Sequence, residues 1–301
     1  MLPLPRDHHA RRVLGLHTRR IREGTGAHGG LLKQRSGFTL VELVISMTIL
    51  SFTTMVIGGL MLAITSAWDH STSLEDSRRQ AQASFARIKW MIQQSGTYKL
   101  TGQPTTLGIA ILTTTAGTYQ APTKLVVWSG GSNGGMNASG LKTRLPLASE
   151  IVVYAPDPTT PSRLIEMTFP GNTTSIDFRS SGFSTSIASL MQTTNRQSIR
   201  LCDRLHVTPG TTGAPNIGNI RFEMTTNPSD SQISGVSVGS QAWNDLPWGQ
   251  GLVGADRALR TTNVRIEMLL DPNPAKPLTD NGSSTALPFP ASVNRQYVYQ
   301  P

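Results

Sequence analysis

Cysteine and histidine are scarce in this chain, and their scarcity excludes several classes of protein. Cys202 is the single cysteine among 301 residues, so no intramolecular disulfide can form. Beyond residue 37 the histidines are His70 and His206, and no Cys/His cluster has zinc-ligand spacing. No phosphate-binding Gly-x4-Gly-Lys loop is present. We therefore expect no metal and no cofactor, and we expect Cys202 to be a small buried hydrophobic side chain.

Acidic residues are also few, with 18 Asp and Glu against 27 Lys and Arg, which gives a net charge of +9. The excess is concentrated at the N-terminus. Residues 1–37 hold eight basic residues against two acidic ones, a balance of +6 that leaves +3 for the rest of the chain. The basic composition therefore predicts no nucleic-acid site in the part that follows residue 37.

Charge is almost absent from Phe38 to Trp68, where Glu42 is the only ionisable residue. As a helix that rises 1.5 Å per residue, this run would be roughly 46 Å long, whereas a bilayer core is about 30 Å thick. The run is therefore long enough to cross a membrane. It is too long for the apolar region of an ordinary secretory signal, about 7–15 residues, whose cleavage site follows the apolar residues.

The junction before this run has an ordered set of features: Lys33 and Arg35, then Gly37 and Phe38, then Glu42, within the string GFTLVEL. This junction resembles the processing site of type IV pilins and of the pseudopilins of type II secretion. The resemblance implies a prepilin peptidase that cuts between Gly37 and Phe38 and N-methylates Phe38. It also implies other pilin or pseudopilin subunits and an inner-membrane assembly platform as partners, and membrane lipid before assembly.

Charge predicts the orientation of the apolar run. The basic residues precede it, and Asp69, Glu75 and Asp76 follow it. Positive residues stay in the cytoplasm, so we expect a single pass through the bacterial inner membrane with the N-terminus inside. The head would then be periplasmic, or extracellular after assembly. The string LLKQRSGFTL, from Leu31, resembles a complete short leader, so residues 1–30 are either a cytoplasmic extension or the result of a start site assigned too early.

Glu42, Gly58 and Gly59 each allow two interpretations. Glu42 either complements the helix dipole at the membrane interface or, as the resemblance implies, pairs with the N-terminal amine of a neighbouring subunit and sets the axial register. Each glycine costs about 1 kcal/mol in a helix relative to alanine. In one interpretation the two glycines are simply tolerated or allow close packing of helices. In the other they make the helix locally flexible, so that it can stretch when it packs into a filament.

From Asp69 to Gln94 the pattern becomes amphipathic, which predicts that the helix continues and buries one stripe under a head, ending at Ser95-Gly96. The expected stripe is Leu74, Ala81, Phe85, Ile88 and Ile92. This stretch also resembles the corresponding part of the larger minor pseudopilins and minor pilins.

Short apolar runs between turn-rich loops predict a β-rich head with six strands. They are Thr123–Trp128, Glu150–Tyr154, Arg163–Phe169, Ser198–His206, Asn219–Met224 and Thr262–Leu270. The predicted class is α+β, with a long N-terminal helix packed against a sheet-rich head. The predicted segments are a leader (1–37), a transmembrane helix (38–68), its amphipathic continuation (69–95), the head (96–270) and a loose Pro-rich tail (271–301).

Two further motifs bear on function. Trp243 and Trp248 precede the expected final strand, and a tryptophan-bearing loop there resembles J-type minor pseudopilins and W-type minor pilins; alternatively, both are ordinary packed anchors. Gly130 to Gly134 match G-x-S-x-G, with Ser132 as the nucleophile of a hydrolase, but the residues that follow lack the helical periodicity that a nucleophile elbow requires.

We interpret the chain as a non-enzymatic minor subunit of a type IV pilus or type II secretion filament. Its size and its tryptophan-bearing loop favour a minor subunit at or near the filament tip. The alternatives are a major pilin of the same machinery, and a membrane-anchored binding protein or hydrolase that does not polymerise.

Overall fold

The computed structural model describes residues 37–117, 119–210, 214–272 and 286–301. The predicted leader therefore lies outside the described residues except for Gly37, and so does the first part of the predicted tail, residues 273–285. The chain divides into two compact units, Met1–Gly59 and Leu60–Pro301.

The first element is a helix of 54 residues, α1 (Leu40–Gln93). It passes through Gly58 and Gly59 without a break and ends just before Ser95-Gly96, which confirms the long helix predicted by the apolar and amphipathic patterns. A Cβ on Gly96 would lie 3.0 Å from Cβ of Met136 and 3.1 Å from the indole ring of Trp128, closer than most side chains come. Glycine therefore lets the chain pass close to both residues just after the helix ends.

The buried stripe of α1 is close to the predicted one, with one correction. Ala81, Phe85, Ile88 and Ile92 are buried as expected, and Met91 joins them. Leu74 is 39% exposed, so its predicted burial is wrong. Ser77 is the first buried residue of the helix, and Leu74 lies about one turn before it.

In the part of the chain that the structure describes, thirteen strands and three short α-helices follow α1. The strands are β1 (Thr97–Tyr98), β2 (Thr106–Leu107), β3 (Ile109–Ala116), β4 (Tyr119–Trp128), β5 (Leu141–Lys142), β6 (Ile151–Pro156), β7 (Leu164–Thr168), β8 (Gln197–Cys202), β9 (Val207–Thr208), β10 (Ile217–Gly218), β11 (Ile220–Asn227), β12 (Ala258–Leu270) and β13 (Leu287–Tyr299). The helices are α2 (Phe183–Met191), α3 (Asp230–Ile233) and α4 (Gln241–Asn244).

Each of the six predicted strands overlaps an observed strand, and the α+β class is confirmed. One prediction was too long: β8 ends at Cys202, and the chain turns before Val207–Thr208 pairs with β10 as a separate strand. Cys202 itself is buried, as expected.

Two antiparallel sheets form the head. The larger has the strand order β3-β4-β6-β7-β8, and the smaller has the order β11-β12-β13. In the smaller sheet Ile220 of β11 lies opposite Met268, and Ala258 of β12 lies opposite Tyr299. Two short sheets, β2-β1-β5 and β9-β10, complete the described strands.

The larger sheet is a middle layer because its strands alternate between two hydrophobic clusters. Leu125 and Tyr154 face a cluster that contains the buried stripe of α1 and the inner face of the smaller sheet. Val126 and Val153 face the opposite cluster, which contains α2. Strand alternation of period two thus puts α1 on one side of the sheet and α2 on the other.

The prediction of a loose tail is wrong for its last part. Residues Leu287–Tyr299 form β13, which pairs with the whole length of β12, so Thr262–Leu270 is not the final strand. Pro288 and Pro290 have no N–H to donate, and such residues are tolerated where β13 lies, at the edge of a sheet. The proline content suggested a loose segment, whereas the alternation that ends in buried Tyr297 and Tyr299 was the signal of a strand.

The tryptophan-bearing loop lies between β11 and β12. Two strands, β12 and β13, therefore follow the loop, where one final strand was predicted. Trp243 and Trp248 are both buried, with ring centroids 4.5 Å apart. Trp248 Nε1 donates to the backbone oxygen of Trp243 (2.7 Å), and Trp243 Nε1 donates to that of Gly254 (3.2 Å). Both side chains are therefore packed anchors that hold the loop on the smaller sheet.

Candidate functional site

The N-terminal end of α1 is built as a reciprocal cap between Thr39 and Glu42. The amide N–H and the hydroxyl of Thr39 both donate to Glu42 Oε2, at 3.0 and 3.1 Å. In return the amide N–H of Glu42 donates to Thr39 Oγ1 at 3.3 Å. This is a capping box, which satisfies helix N–H groups that have no partner inside the helix. The pattern Thr-x-x-Glu at Thr39–Glu42 is the sequence signal of a capping box, but it was not among the motifs used to predict the start of the helix.

The cap occupies one oxygen of the Glu42 carboxylate. Among the hydrogen bonds of the described residues, both donors reach Oε2, and Oε1 accepts none. Glu42 is exposed, and an anion in the first turn of a helix is favoured by the helix dipole. The structure thus places Gly37, Phe38 and Glu42 together at one exposed helix end, with Gly37 and Phe38 in the non-helical segment that leads into the cap.

The apolar run is uncovered along its whole length. Each large hydrophobic side chain from Phe38 to Trp68 is more than half exposed, and Phe38 is 82% exposed. In the described part of the chain, α1 is the one helix with the length and apolar composition to cross a membrane; none of its most apolar window is buried, and the mean hydropathy there is 2.0. By its length and composition, this segment could cross a membrane.

The hydroxyl groups in the run are satisfied within the helix. Six side chains donate to the carbonyl oxygen four residues earlier at 2.7–2.9 Å; they belong to Ser46, Thr48, Ser51, Thr53, Thr54 and Thr65. Polar groups without water must find partners in the chain, and this pattern supplies them without a second helix. The segment therefore tolerates hydroxyl side chains in an apolar environment.

Gly58 and Gly59 make no close packing contact in the single chain. A Cβ added to either residue would meet no heavy atom within 4 Å outside the local helix.

An ion pair that the sequence analysis missed fixes α1 to the larger sheet. Arg87 donates two hydrogen bonds to Glu166 on β7, from Nε at 2.8 Å and from Nη2 at 2.6 Å. The hydroxyl of Tyr154 on β6 also donates to Glu166 at 3.0 Å. The Glu166 side chain is 1% exposed, and its hydrogen bond to Arg87 raises the pKa of the guanidinium. Glu166 occupies a core-facing position of its strand. A charged residue at such a position indicates a buried ion pair, and this was the signal in the sequence that could have revealed it.

Further contacts hold the helix to the segment after β8. Ser84 Oγ donates to the carbonyl oxygen of Leu201 (3.1 Å), and Gln80 Oε1 accepts the amide N–H of Asp203 (3.2 Å). Arg204 Nη1 donates to the carbonyl oxygen of Ser73 (2.9 Å). These bonds join residues more than a hundred positions apart, so periodicity along the chain could not reveal them.

The G-x-S-x-G segment does not have the form of a nucleophile elbow. Strand β4 is followed by two short 3-10 turns, Gly131–Asn133 and Met136–Ser139, where a hydrolase would place an α-helix. Gly130 and Gly134 have φ of +94° and +69°, a backbone conformation that glycine adopts readily, which explains the glycines. The backbone oxygen of Ser132 accepts a hydrogen bond from Arg87 at 2.7 Å, so the loop helps to seat the helix.

Comparison with known proteins points to the same part of the chain, the N-terminal end of α1. Residues 32–57 match the family model of the prokaryotic N-terminal methylation motif, and this motif is the signature of type IV pilins and pseudopilins. No curated protein and no solved structure matches the chain. The chain therefore carries a pilin-like N-terminus, joined to a head that these comparisons do not match to a known protein.

Proposed function

We propose that this protein is a non-enzymatic filament subunit that is processed by a prepilin peptidase and assembles through α1. The observation that carries the proposal is the uncovered apolar half of α1, which begins at a capped Glu42 inside the methylation motif. Such a surface needs lipid before assembly and neighbouring helices afterwards. The motif implies the peptidase and other pilin subunits as partners, and its family is structural and not enzymatic.

In this proposal the peptidase cuts between Gly37 and Phe38 and methylates the amine of Phe38. The chain is anchored in the inner membrane, with its N-terminus in the cytoplasm and its head in the periplasm. The platform then extracts the subunit into a filament, where the head is exposed outside the cytoplasm. The orientation is supported by the basic residues before Gly37 and the acidic residues after Trp68.

Glu42 has two roles in this proposal. Its Oε2 completes the cap with Thr39, and its Oε1 accepts a hydrogen bond from the Phe38 amine of a neighbouring subunit. In a low-dielectric filament core an unpaired carboxylate is costly, and the cationic amine offsets that cost. The pairing sets the axial register of each incoming subunit.

Two substitutions separate these roles. Glu42→Gln keeps a side-chain oxygen for the cap but removes the charge, whereas Glu42→Ala removes both. We predict that both variants are inserted and cleaved but are poorly incorporated into filaments beside wild-type subunits, as measured by immunoblot of sheared filaments. Normal incorporation of Glu42→Gln would show that the charge is not used, and would reduce Glu42 to a helix cap.

We further propose a minor subunit, of a type IV pilus or of a type II secretion filament. The size of the head supports a minor subunit near the tip. Quantitative mass spectrometry of purified filaments should find this chain at a small fraction of the major subunit. A stoichiometry equal to that of the most abundant subunit would instead identify a major pilin.

The rival proposal is a permanently anchored hydrolase or binding protein. Ser132→Ala tests the hydrolase form, because Ser132 is the only nucleophile that the sequence motif suggests. We expect no esterase or peptidase turnover in the wild-type protein. Turnover that disappears with Ser132→Ala would favour the anchored enzyme.

A further inference from the structure

A cavity of about 240 Å³ lies in the head, beside the smaller sheet. One wall is formed by β12 and β13, with Arg260, Tyr297 and Tyr299. The opposite wall includes Thr105, Phe178 and Arg179. No part of this cavity belongs to the helix end described above, and the proposed filament role does not use it.

Arg260 is the unusual residue of the cavity. Alternate residues of β12 face the core, and Arg260 occupies one of these buried positions, between Ala258 and Thr262. Its side chain is 5% exposed, and its guanidinium lies 5.1 Å from the centre of the Tyr299 ring. Burial of a cation at this position of the strand costs desolvation free energy unless anions or carbonyl groups compensate the charge.

A backbone carbonyl and a carboxylate compensate the charge of Arg260, and the hydroxyl of Tyr297 also hydrogen-bonds its guanidinium. Nε donates to the backbone oxygen of Pro228 at 2.8 Å, and Nη2 donates to Asp230 Oδ1 at 2.7 Å. The Asp230 side chain is 94% exposed, so the carboxylate reaches the buried cation from the solvent side. An exposed carboxylate pays side-chain entropy to stay in place and is screened by salt, so it is readily exchanged.

The remaining lining also favours an anion. Its charged side chains are Arg179, Arg260 and Asp230, which sum to a positive charge. Burial raises the pKa of Tyr297 to about 12 and also raises that of Tyr299. Both phenols are protonated at neutral pH, and both residues line the cavity, so no tyrosinate charge opposes an anion there.

We propose that this cavity binds an aliphatic carboxylate, which pairs with Arg260 in place of Asp230. The fork of the guanidinium matches the two oxygens of a carboxylate, and Asp230 already occupies part of that geometry. The ligand is either a glutamate or aspartate side chain or the C-terminal carboxylate of a polypeptide. Asp230 acts as a resident competitor that keeps the cation paired when the ligand is absent.

The experiment uses the full chain in detergent micelles and follows the Nε resonance of Arg260 by NMR. Two probes separate the sources of the carboxylate: N-acetyl-glutamate N-methylamide carries it on a side chain, and N-acetyl-diglycine carries it at a C-terminus. The corresponding primary amides are the uncharged controls. We expect a saturable shift with one or both acids and none with the amides.

Asp230→Asn supplies the decisive comparison, because it weakens the competitor but keeps an exposed polar side chain. We expect it to bind the acid about tenfold more tightly than the wild type. Asp256→Asn is the matched control, since Asp256 is also exposed and pairs with Arg257 in the same loop; it should leave affinity unchanged. The proposal is overturned if Asp230→Asn gives no saturable shift, if both variants change affinity equally, or if the amides bind as well as the acids.

Discussion

The two halves of α1 belong to one helix but meet opposite surroundings. From Phe38 to Trp68 every large apolar side chain is more than half exposed, whereas from Ser77 to Ile92 a continuous stripe is buried. Both halves contain serine, but Ser51 bonds only to its own helix, and Ser84 bonds to the carbonyl oxygen of Leu201. The head buries a stripe of the second half, whereas the large apolar side chains of the first half are exposed among the described residues.

Charge distinguishes the halves in the same way. In the first half the single charge, Glu42, is used locally, three residues from its partner Thr39. In the second half Arg87 reaches Glu166, which lies 79 residues away in sequence. Local contacts shape the exposed half, whereas long-range contacts hold the covered half to the head.

The largest expected effect comes from Arg87→Ala in a head fragment that begins at Asp69. The substitution leaves the buried Glu166 carboxylate without its cation, and removal of one partner of a buried ion pair costs about 3–5 kcal/mol. Urea unfolding followed by tryptophan fluorescence should show this loss. Arg79→Ala is the control, because the Glu75–Arg79 pair is exposed and should contribute at most about 0.5 kcal/mol. Equal effects would contradict the difference between the two pairs.

A matched pair of isoleucines compares the halves directly. Ile88 is fully buried, so Ile88→Ala should cost about 2–5 kcal/mol of unfolding free energy. Ile49 is 59% exposed on the same helix, and Ile49→Ala should leave the stability of the head unchanged. Thermal unfolding of the full chain in micelles measures both. A large loss with Ile49→Ala would show that the first half is packed against the head.

A smaller effect is expected from acid, and it concerns the head alone. Burial acts to raise the pKa of Glu150, but hydrogen bonds from Arg144, the Leu147 amide and Trp128 outweigh it and leave the pKa below its ordinary value of 4.5. A lowered folded pKa means that Glu150 stabilises the head above pH 4.5 and loses this contribution as the pH falls through the folded value. Glu150→Gln should flatten the loss of stability below pH 4.5. An unchanged pH profile would remove Glu150 from the acid response.

The sequence was sufficient for features that depend on local pattern. The apolar run, the end of the helix near Gly96 and the alternating strands could be predicted because each follows from side chains within a few residues of one another. Gly37 and Phe38 could be named as the predicted cleavage and methylation residues, and Glu42 as the predicted assembly residue, because their motif is compact; these roles stay predictions.

The rest depends on residues that are distant in sequence. Ser77 and Ser84 occupy the buried stripe as polar residues, which hydrophobic periodicity cannot anticipate when the partner of Ser84 lies 117 positions away. The strand β13 was hidden by its prolines, and its pairing with β12 is a long-range contact. Arg260 is buried because of the fold around it. Its position in the alternating pattern of β12 does indicate that its side chain faces the core.

The central claim, that α1 begins a processed filament subunit, is tested most directly by mass spectrometry of the mature N-terminus. The protein should be isolated from cells with an active prepilin peptidase and compared with a Gly37→Val variant. We predict that the wild-type chain begins at Phe38 with one added methyl group on its amine, and that the variant keeps its leader. An intact leader on the wild-type protein in those cells would contradict the account.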